Sequence, residues 1–311
     1  MPKTHRGRVF AVNQTVQFSV IPVVAFLAWQ LVPLSPLGFD GWRWVVLIGS
    51  VSAIGVWFIY LQVPESPRWL AGHGRAAEAL VQMDELERRI ESETGRPLPP
   101  PGPPAAETRK GSFAEIWNRK YLPRTVMLIL FNLFQAVGYY GFTNWAPTLI
   151  ISRGIAVTQS LEYTFLIAIA APFGPLAGAV LGDRFERKWA LVAAALFVGV
   201  FGVAFGQSGI AAALVLFGVL ITLSNNVMSF LYHAYQTELY PTRIRARAVG
   251  FVYSWSRLST VFSGFVIAFL LGHFGASGVF AFIAGCMIVA AAAVALLGPR
   301  TTNRPLEAIS H

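Results

Sequence analysis

ELYPTRIRARAVGFVYSWSRLS, residues Glu238–Ser259, joins a basic segment to the start of a long apolar run. Three arginines stand at alternate positions, Arg243, Arg245 and Arg247, and we interpret them as a basic loop before a helix. Arg257 then interrupts the apolar run near its middle. A charged side chain at the centre of a bilayer costs about 3 kcal/mol or more, so Arg257 predicts a functional site.

The composition places this chain among membrane proteins. With 55% hydrophobic residues, 13% charged residues and a mean hydropathy of +0.57, its 311 residues are too apolar for a soluble globular domain. The net charge of +9 does not indicate a nucleic-acid partner, because the basic residues lie at the ends of apolar runs. The one cysteine, Cys286, leaves no intramolecular disulfide and no metal-ligand spacing.

Eight apolar stretches are long enough to cross roughly 30 Å of hydrocarbon as helices. They lie at about 9–32, 42–63, 121–146, 161–182, 189–208, 210–235, 246–272 and 276–298. Nearly all of the 24 lysines and arginines fall on one side of these stretches, and only Arg43 and Arg153 lie on the alternate side. Because cytoplasmic loops are enriched in lysine and arginine, we expect an integral protein of the plasma (inner) membrane with both termini cytoplasmic.

The segment 64–120 is the only long polar stretch. Charge spacing predicts a surface helix from Arg75 to Glu93, and the sequence PLPPPGPP at 97–104 predicts a semi-rigid linker. We therefore predict four parts: 1–63 with two helices, 64–120 as a cytoplasmic loop, 121–298 with six helices, and 299–311 as a cytoplasmic tail.

An internal repeat indicates a larger architecture. A proline followed by two arginines precedes both the first and the seventh helix, at Pro2–Arg8 and Pro241–Arg247. If the two halves are copies, the four helices between 121 and 235 have counterparts before residue 1. This predicts the last two thirds of a twelve-helix protein that holds its substrate between two six-helix halves. A complete eight-helix protein is the alternative.

Four motifs resemble those of the major facilitator superfamily, most closely its sugar-porter and metabolite:proton symporter branches. They are Pro64–Leu70 followed by Gly74-Arg75, Gly182–Lys188, Glu238–Arg245, and the tail from Pro299 to Ile309. Two positions depart from the family's pattern: Glu186 stands where glycine is usual, and Arg300 replaces a glutamate. The resemblance implies an all-α membrane protein with a partial major-facilitator fold of about eight transmembrane helices, equivalent to helices 5–12 of twelve. Its partner would be the missing N-terminal helical half.

Charged residues in these motifs predict a gate at the cytoplasmic rim. The gating residues are expected to be Asp183, Arg184, Arg187, Glu65, Arg68, Glu238 and Arg243. Two ion pairs are expected among them, Glu65–Arg68 and Glu238–Arg243, each worth about 0–1 kcal/mol if exposed. An ordinary basic turn that orients the protein in the membrane is the alternative reading of Gly182–Lys188.

Glycines recur every four residues in the stretch 161–182, at Gly174, Gly178 and Gly182. One helix face therefore carries no side chains there, which predicts close packing against a neighbouring helix. Pro172 and Pro175 lie in the same stretch and predict a bend.

Polar side chains at membrane depth predict where a solute binds. One helical face carries Asn132, Gln135 and Tyr139, with Tyr140 beside them, and a second carries Asn225, Asn226, Ser229 and His233. Hydrogen bonding between helices is the alternative role for such faces. His233 is a candidate proton-coupling group, because histidine titrates near neutral pH. An interfacial hydrogen-bonded residue is the alternative.

Arg257 and Tyr253, which lies one turn before it, complete the predicted site. The predicted substrate-binding residues are Arg257, Tyr253, Gln135, Tyr139, Asn132, Asn225 and Ser229. The arginine's partner is expected to be an anionic substrate, a carboxylate in the missing helices, or carbonyl groups and water.

These residues predict a secondary active transporter, without a cofactor and driven by a proton gradient, for a small organic anion such as a carboxylate. A sugar or polyol porter is the alternative, which Pro64–Leu70 and Gln135 favour. Ser224–Ser229 argues against it, because sugar porters usually carry Gly-Pro and Trp there. A truncated, non-transporting sensor and an incomplete reading frame started at an internal Met are alternatives of another kind. An enzyme is not expected, because the sequence contains no catalytic cluster, nucleophile elbow or phosphate-binding glycine loop.

Overall fold

Every regular element among the described residues is helical. The computed structural model describes residues 6–98 and 111–301, so most of the predicted proline-rich linker and most of the tail lie outside it. The helices are α1 Arg6–Leu31, α2 Gly41–Gln62, α3 Pro67–Gly72, α4 Ala76–Thr94, α5 Leu122–Thr143, α6 Ala146–Ile151, α7 Val157–Ala168, α8 Phe173–Arg184, α9 Arg187–Gln207, α10 Ala211–Glu238 and α11 Thr242–Leu297. Short 3-10 helices occupy Pro36–Gly38 and Phe113–Trp117.

In these described residues, seven helical segments are long and apolar enough to cross a membrane, and the last, Arg243–Leu297, contains 55 residues. A straight helix of that length would extend about 80 Å, far more than the roughly 30 Å of hydrocarbon. Gly275 divides it, with φ 64° and ψ −171°. Glycine adopts this conformation without the steric cost that a side chain would add. The predicted eight crossings, with a boundary between 246–272 and 276–298, are therefore confirmed.

The three arginines after Pro241 are helical, and the prediction of a basic loop was wrong. The extended backbone of Pro241, with φ −64° and ψ 151°, precedes the first turn of α11 at Thr242. Arg257 therefore lies about 22 Å along the axis from the first residue of the helix, at 1.5 Å per residue. This places it close to the middle of the part of α11 that precedes Gly275.

The stretch predicted at 161–182 forms two helices within one apolar span. α7 ends at Ala168 and α8 begins at Phe173, and Pro172 is the residue that precedes α8. Proline lacks the backbone N–H that a continuous helix would use, which accounts for the interruption here.

Contacts divide the chain into two units, Met1–Gly41 with Arg109–His311, and Trp42–Thr108. The second unit contains nearly all of α2, which the sequence grouped with α1. It also contains α4, whose extent agrees with the predicted surface helix at Arg75–Glu93. Two ion pairs, each between residues one helical turn apart, stabilise α4. They are Arg75–Glu78 at 2.6 Å and Arg89–Glu93 at 3.0 Å.

In the first unit, α5, α9, α10 and α11 pack around one apolar core that includes Phe131, Phe205, Tyr235 and Phe280. The glycine face of α8 packs against α10, as predicted. A Cβ added at Gly174 would lie 2.3 Å from the Cβ of Asn226, and one at Gly178 would lie 2.9 Å from the ring of Phe230. These distances are too short for any side chain, so glycine sets the separation of the two helices.

Candidate functional site

A polar cavity of about 490 Å³ lies among α1, α5, α10 and α11. Five residues of the predicted substrate-binding set line it, namely Gln135, Tyr139, Ser229, Tyr253 and Arg257, together with His233. Other polar residues of its wall include Gln14, Gln17 and Gln236, which were not selected from the sequence, and Tyr140, which was named beside the predicted polar face. The two glutamines of α1 stand three residues apart, and this helical spacing was the signal that could have identified them.

Arg257 is the only charged side chain in the wall of this cavity as described. Its Nη1 donates to the Tyr140 hydroxyl at 2.8 Å, and its Nη2 donates to the Tyr253 hydroxyl at 3.2 Å. The guanidinium also lies 5.9 Å and 5.2 Å from the centres of these two rings. No carboxylate with a described position lies within 4 Å of it.

The two tyrosines extend the donor capacity of Arg257. Each phenolic oxygen accepts a hydrogen bond from the guanidinium, so each hydroxyl proton remains available to a third group. The guanidinium of arginine carries a positive charge and presents its remaining N–H groups in a fixed fork. The three side chains therefore form a positively charged cluster of donors, which we call the Arg257 cluster.

His233 lies in the wall of the same cavity and contacts the Arg257 cluster through Tyr253. The centres of the two rings are 5.9 Å apart. Nδ1 of His233 lies 3.0 Å from Nε2 of Gln236. A proton-coupling role for His233 stays a prediction.

The remaining two residues of the predicted substrate-binding set lie elsewhere. Asn132 is completely buried, donates to the Leu128 carbonyl at 2.8 Å and accepts from the Tyr232 hydroxyl at 2.8 Å. Its amide therefore takes part in hydrogen bonding between helices, which was the alternative role. Asn225 lines a neighbouring cavity of about 370 Å³ together with Asn226, and this cavity shares Tyr139 with the first.

Two arginines of the predicted gate, Arg187 and Arg243, form ion pairs, and the partner of Arg243 is not the one that was predicted. Arg187, at the start of α9, pairs with Glu238 at the end of α10. Arg243 pairs instead with Glu115 at 2.7 Å. The predicted pair Glu238–Arg243 was therefore wrong.

Glu115 lies in the segment before α5, and its carboxylate accepts hydrogen bonds from two residues. The backbone N–H of Ser112 and the guanidinium of Arg243 both donate to its carboxylate and lower its pKa from the ordinary value. The contact connects this segment to the first turn of α11.

The other four predicted gating residues are Arg68, Asp183, Arg184 and Glu65. The side chains of Arg68 and Asp183 lie outside the described part of the structure, so the predicted pair Glu65–Arg68 stays a prediction. Arg184 is exposed at the last residue of α8, and Glu65 is exposed just before α3.

A double-mutant cycle distinguishes the two possible partners of Glu238. We expect Glu238→Gln and Arg187→Gln to be coupled by about 1 kcal/mol in thermal unfolding, because both side chains are largely buried in one ion pair. The matched cycle with Arg243→Gln provides the control, and its coupling to Glu238 should be close to zero. Coupling to Arg243 that equals or exceeds the coupling to Arg187 would contradict the pairing.

The sequence matches the profile of the sugar (and other) transporter family over residues 1–311. It is 30% identical to the metabolite transport protein YyaJ of Bacillus subtilis, described as putative, over 98% of this chain and 67% of that protein. It is 29% identical to the niacin transporter NiaP of Acinetobacter baylyi, over 99% of this chain and 69% of the relative.

The fold also matches solved structures of transporters. The structure of the major facilitator superfamily proton:xylose symporter XylE superposes with a TM-score of 0.69 at 20% identity, over 100% of this chain and 68% of the other. The inward-open xylose transporter XylE from E. coli superposes with a TM-score of 0.68 at 19% identity, over 99% and 66%.

The chain spans about two thirds of the length of these relatives, with 67% of the first and 62% of a second metabolite transporter, YdjE of Escherichia coli. The family match covers every residue, the membrane-spanning helices agree with it, and the fold resembles that of solved members of the superfamily. The chain therefore belongs to the sugar (and other) transporter family.

Proposed function

We propose that this chain moves a small organic carboxylate across the inner membrane together with protons, by alternating access. The termini would face the cytoplasm, and the helices that precede this region in a full-length relative would close the other side of the cavity. The observation that carries the proposal is the Arg257 cluster, a fixed positive charge with two phenolic donors in the wall of a polar cavity.

The chemistry of the cluster favours an anion over a neutral solute. An arginine fork and a hydroxyl donor match the two oxygens of a carboxylate. Arg257 lies within a helix that is apolar enough to span a membrane and pairs with no carboxylate of described position, so an anionic substrate would stabilise it more than a neutral solute of the same size. Two relatives carry names that include niacin, which is a pyridine carboxylate.

His233 is the proposed proton-coupling group. It lies in the same cavity wall, and its ring faces Tyr253, which in turn accepts a hydrogen bond from Arg257. A proton on His233 and a carboxylate on Arg257 would attract each other, so loading of one would favour loading of the other.

A sugar or polyol is the second candidate substrate, and the amide side chains of the cavity favour it. Gln14, Gln17, Gln135 and Gln236 supply both donors and acceptors, as a polyhydroxylated solute requires. Relatives of this chain include an arabinose-proton symporter by name.

Binding to the reconstituted chain separates the two candidates. We expect nicotinate and benzoate to bind in lipid nanodiscs by calorimetry, and their methyl esters to bind at least about 30-fold more weakly, because the ester removes the charge and adds only a methyl group. Xylose and arabinose should not displace them. In proteoliposomes, nicotinate uptake should rise with an inwardly directed proton gradient and collapse with a protonophore.

The opposite pattern would contradict the proposal. Equal affinity for acid and methyl ester would show that the charge is not recognised, and displacement by pentoses at similar concentration would support the sugar porter.

A further inference from the structure

A second cavity adjoins the first and shares three of its helices, α1, α5 and α10. Its volume is about 370 Å³, and Tyr139 lines both cavities. On α1, residues between Phe10 and Phe18 line the first cavity and residues from Val20 to Ala28 line the second. We call this second cavity the amide chamber.

The walls of the amide chamber suit an apolar group. Most of its lining is aliphatic or aromatic carbon, contributed by residues such as Ile21, Val24, Phe142 and Ile167. A cavity of about 150 Å³ already accepts a benzene ring, so the chamber has room for a substituted ring. The first cavity, by contrast, is lined by the Arg257 cluster and four glutamines.

Two asparagines of α10 are polar exceptions in this largely apolar wall. Asn225 and Asn226 are each only 2% exposed, and both line the chamber. Neither amide atom of Asn225 has a hydrogen-bond partner in the structure, and Oδ1 of Asn226 has none. A buried polar atom without a partner costs about 1–3 kcal/mol.

The contrast with Asn132 shows what a structural asparagine looks like in this fold. Asn132 is equally buried, but its Nδ2 donates to Leu128 and its Oδ1 accepts from Tyr232. Both amide atoms of Asn132 therefore have a hydrogen-bond partner in the protein, whereas neither amide atom of Asn225 has one. Rotation about the broad terminal torsion of asparagine would turn an unpartnered amide toward a group in the chamber at little cost.

The amide atoms without a hydrogen-bond partner also indicate which chemical group a ligand would need in order to pair with them. They comprise two acceptor oxygens, one on each asparagine, and one donor nitrogen on Asn225. A group that satisfies the oxygens must carry a proton to donate, such as a hydroxyl or an amide N–H. A bare ring nitrogen could satisfy only the donor.

We infer that the amide chamber binds the uncharged end of the substrate, a ring or short apolar portion that carries a hydroxyl or amide donor, and that Asn225 and Asn226 recognise this donor. This inference rests on the proposed function for the carboxylate at the Arg257 cluster. It adds a second recognition element, at the other end of the molecule.

Calorimetry with a matched series of ligands tests it. The probes are benzoate, 3-hydroxybenzoate and 4-hydroxybenzoate, with the 311-residue chain in nanodiscs. We expect the better of the two hydroxybenzoates to bind about 10-fold more tightly than benzoate, because it satisfies amide groups that benzoate leaves unpaired. In Asn225→Leu and in Asn226→Ala, this ratio of hydroxybenzoate to benzoate affinity should fall below about 2-fold.

Asn13→Leu is the matched control, since Asn13 is exposed on α1 and lines neither cavity, and it should keep the full hydroxyl advantage. Thermal unfolding reports whether each variant is folded, and Asn225→Ala replaces Asn225→Leu if the larger side chain prevents folding. An undiminished hydroxyl advantage in the asparagine variants, or none in the unmodified chain, would overturn the inference and leave the proposed function intact.

Phenol separates the two proposals if benzoate does not bind at all, a result that would contradict the proposed function. Phenol carries the ring and the donor without a carboxylate. Binding of phenol that is lost in Asn225→Leu would then support the amide chamber alone, and absence of phenol binding would overturn it.

Discussion

Arg257→Gln should lower the affinity of the chain for nicotinate and benzoate about 10- to 100-fold. Glutamine keeps hydrogen-bonding capacity but removes the charge, and a hydrogen bond to a charged group contributes about 1.5–3 kcal/mol. The loss should also remove the fixed position of the Tyr140 and Tyr253 hydroxyls, which Arg257 holds at 2.8 and 3.2 Å. Calorimetry in nanodiscs measures the change directly, without requiring translocation.

Two further variants give this result its meaning. Arg257→Lys keeps the charge but loses the planar fork, so we expect it to retain part of the affinity. Arg89→Gln removes an exposed arginine of the surface helix α4 and should leave the affinity for nicotinate and benzoate unchanged. The methyl esters should bind Arg257→Gln as weakly as they bind the unmodified chain. If Arg257→Gln binds carboxylates as tightly as the unmodified chain, the Arg257 cluster does not recognise the anion.

Gly174→Ala should destabilise the helical core by about 1–3 kcal/mol, which is the usual cost of overpacking. The added methyl carbon would lie 2.3 Å from the Cβ of Asn226 and 3.2 Å from its backbone, and these atoms cannot move without separating α8 from α10. Because Asn226 lines the amide chamber, the same change should also weaken recognition of hydroxybenzoates relative to benzoate. Thermal unfolding followed by tryptophan fluorescence in detergent measures the stability.

Gly285→Ala is the control for the glycine prediction. It is also helical, and nothing lies within 4 Å of the position that its Cβ would occupy. Its unfolding temperature should stay the same or rise slightly, because alanine favours a helix over glycine by up to about 1 kcal/mol. Equal stability of Gly174→Ala and Gly285→Ala would show that α8 and α10 are not in close contact at Gly174.

Hydropathy and local spacing were sufficient for a large part of the fold. They predicted the apolar helical stretches and the glycine face of α8, and the motifs predicted the family. These features depend on residues a few positions apart, since the length of an apolar run decides whether it spans a membrane and helical spacing decides which residues share a face.

Partners across the fold were decided by the packing of the helices. Glu238 meets Arg187, 51 residues away, and Arg243 meets Glu115, 128 residues away, although Glu238 and Arg243 are neighbours in sequence. The side chain of Arg243, in the first turn of α11, contacts Glu115 and not Glu238 at the end of α10. The number of residues between two charged side chains does not predict such a direction.

Packing also separated the polar residues that share one helix face in the sequence. Asn132 and Gln135 are three residues apart on α5, but Asn132 meets Tyr232 in the core whereas Gln135 reaches the cavity. α1 contributes Gln14 and Gln17 to that cavity from the opposite end of the chain. The rotation of each helix about its axis decides which polar groups face a neighbour and which face the open cavity. Contacts between distant helices fix that rotation, and spacing within one helix contains no information about it.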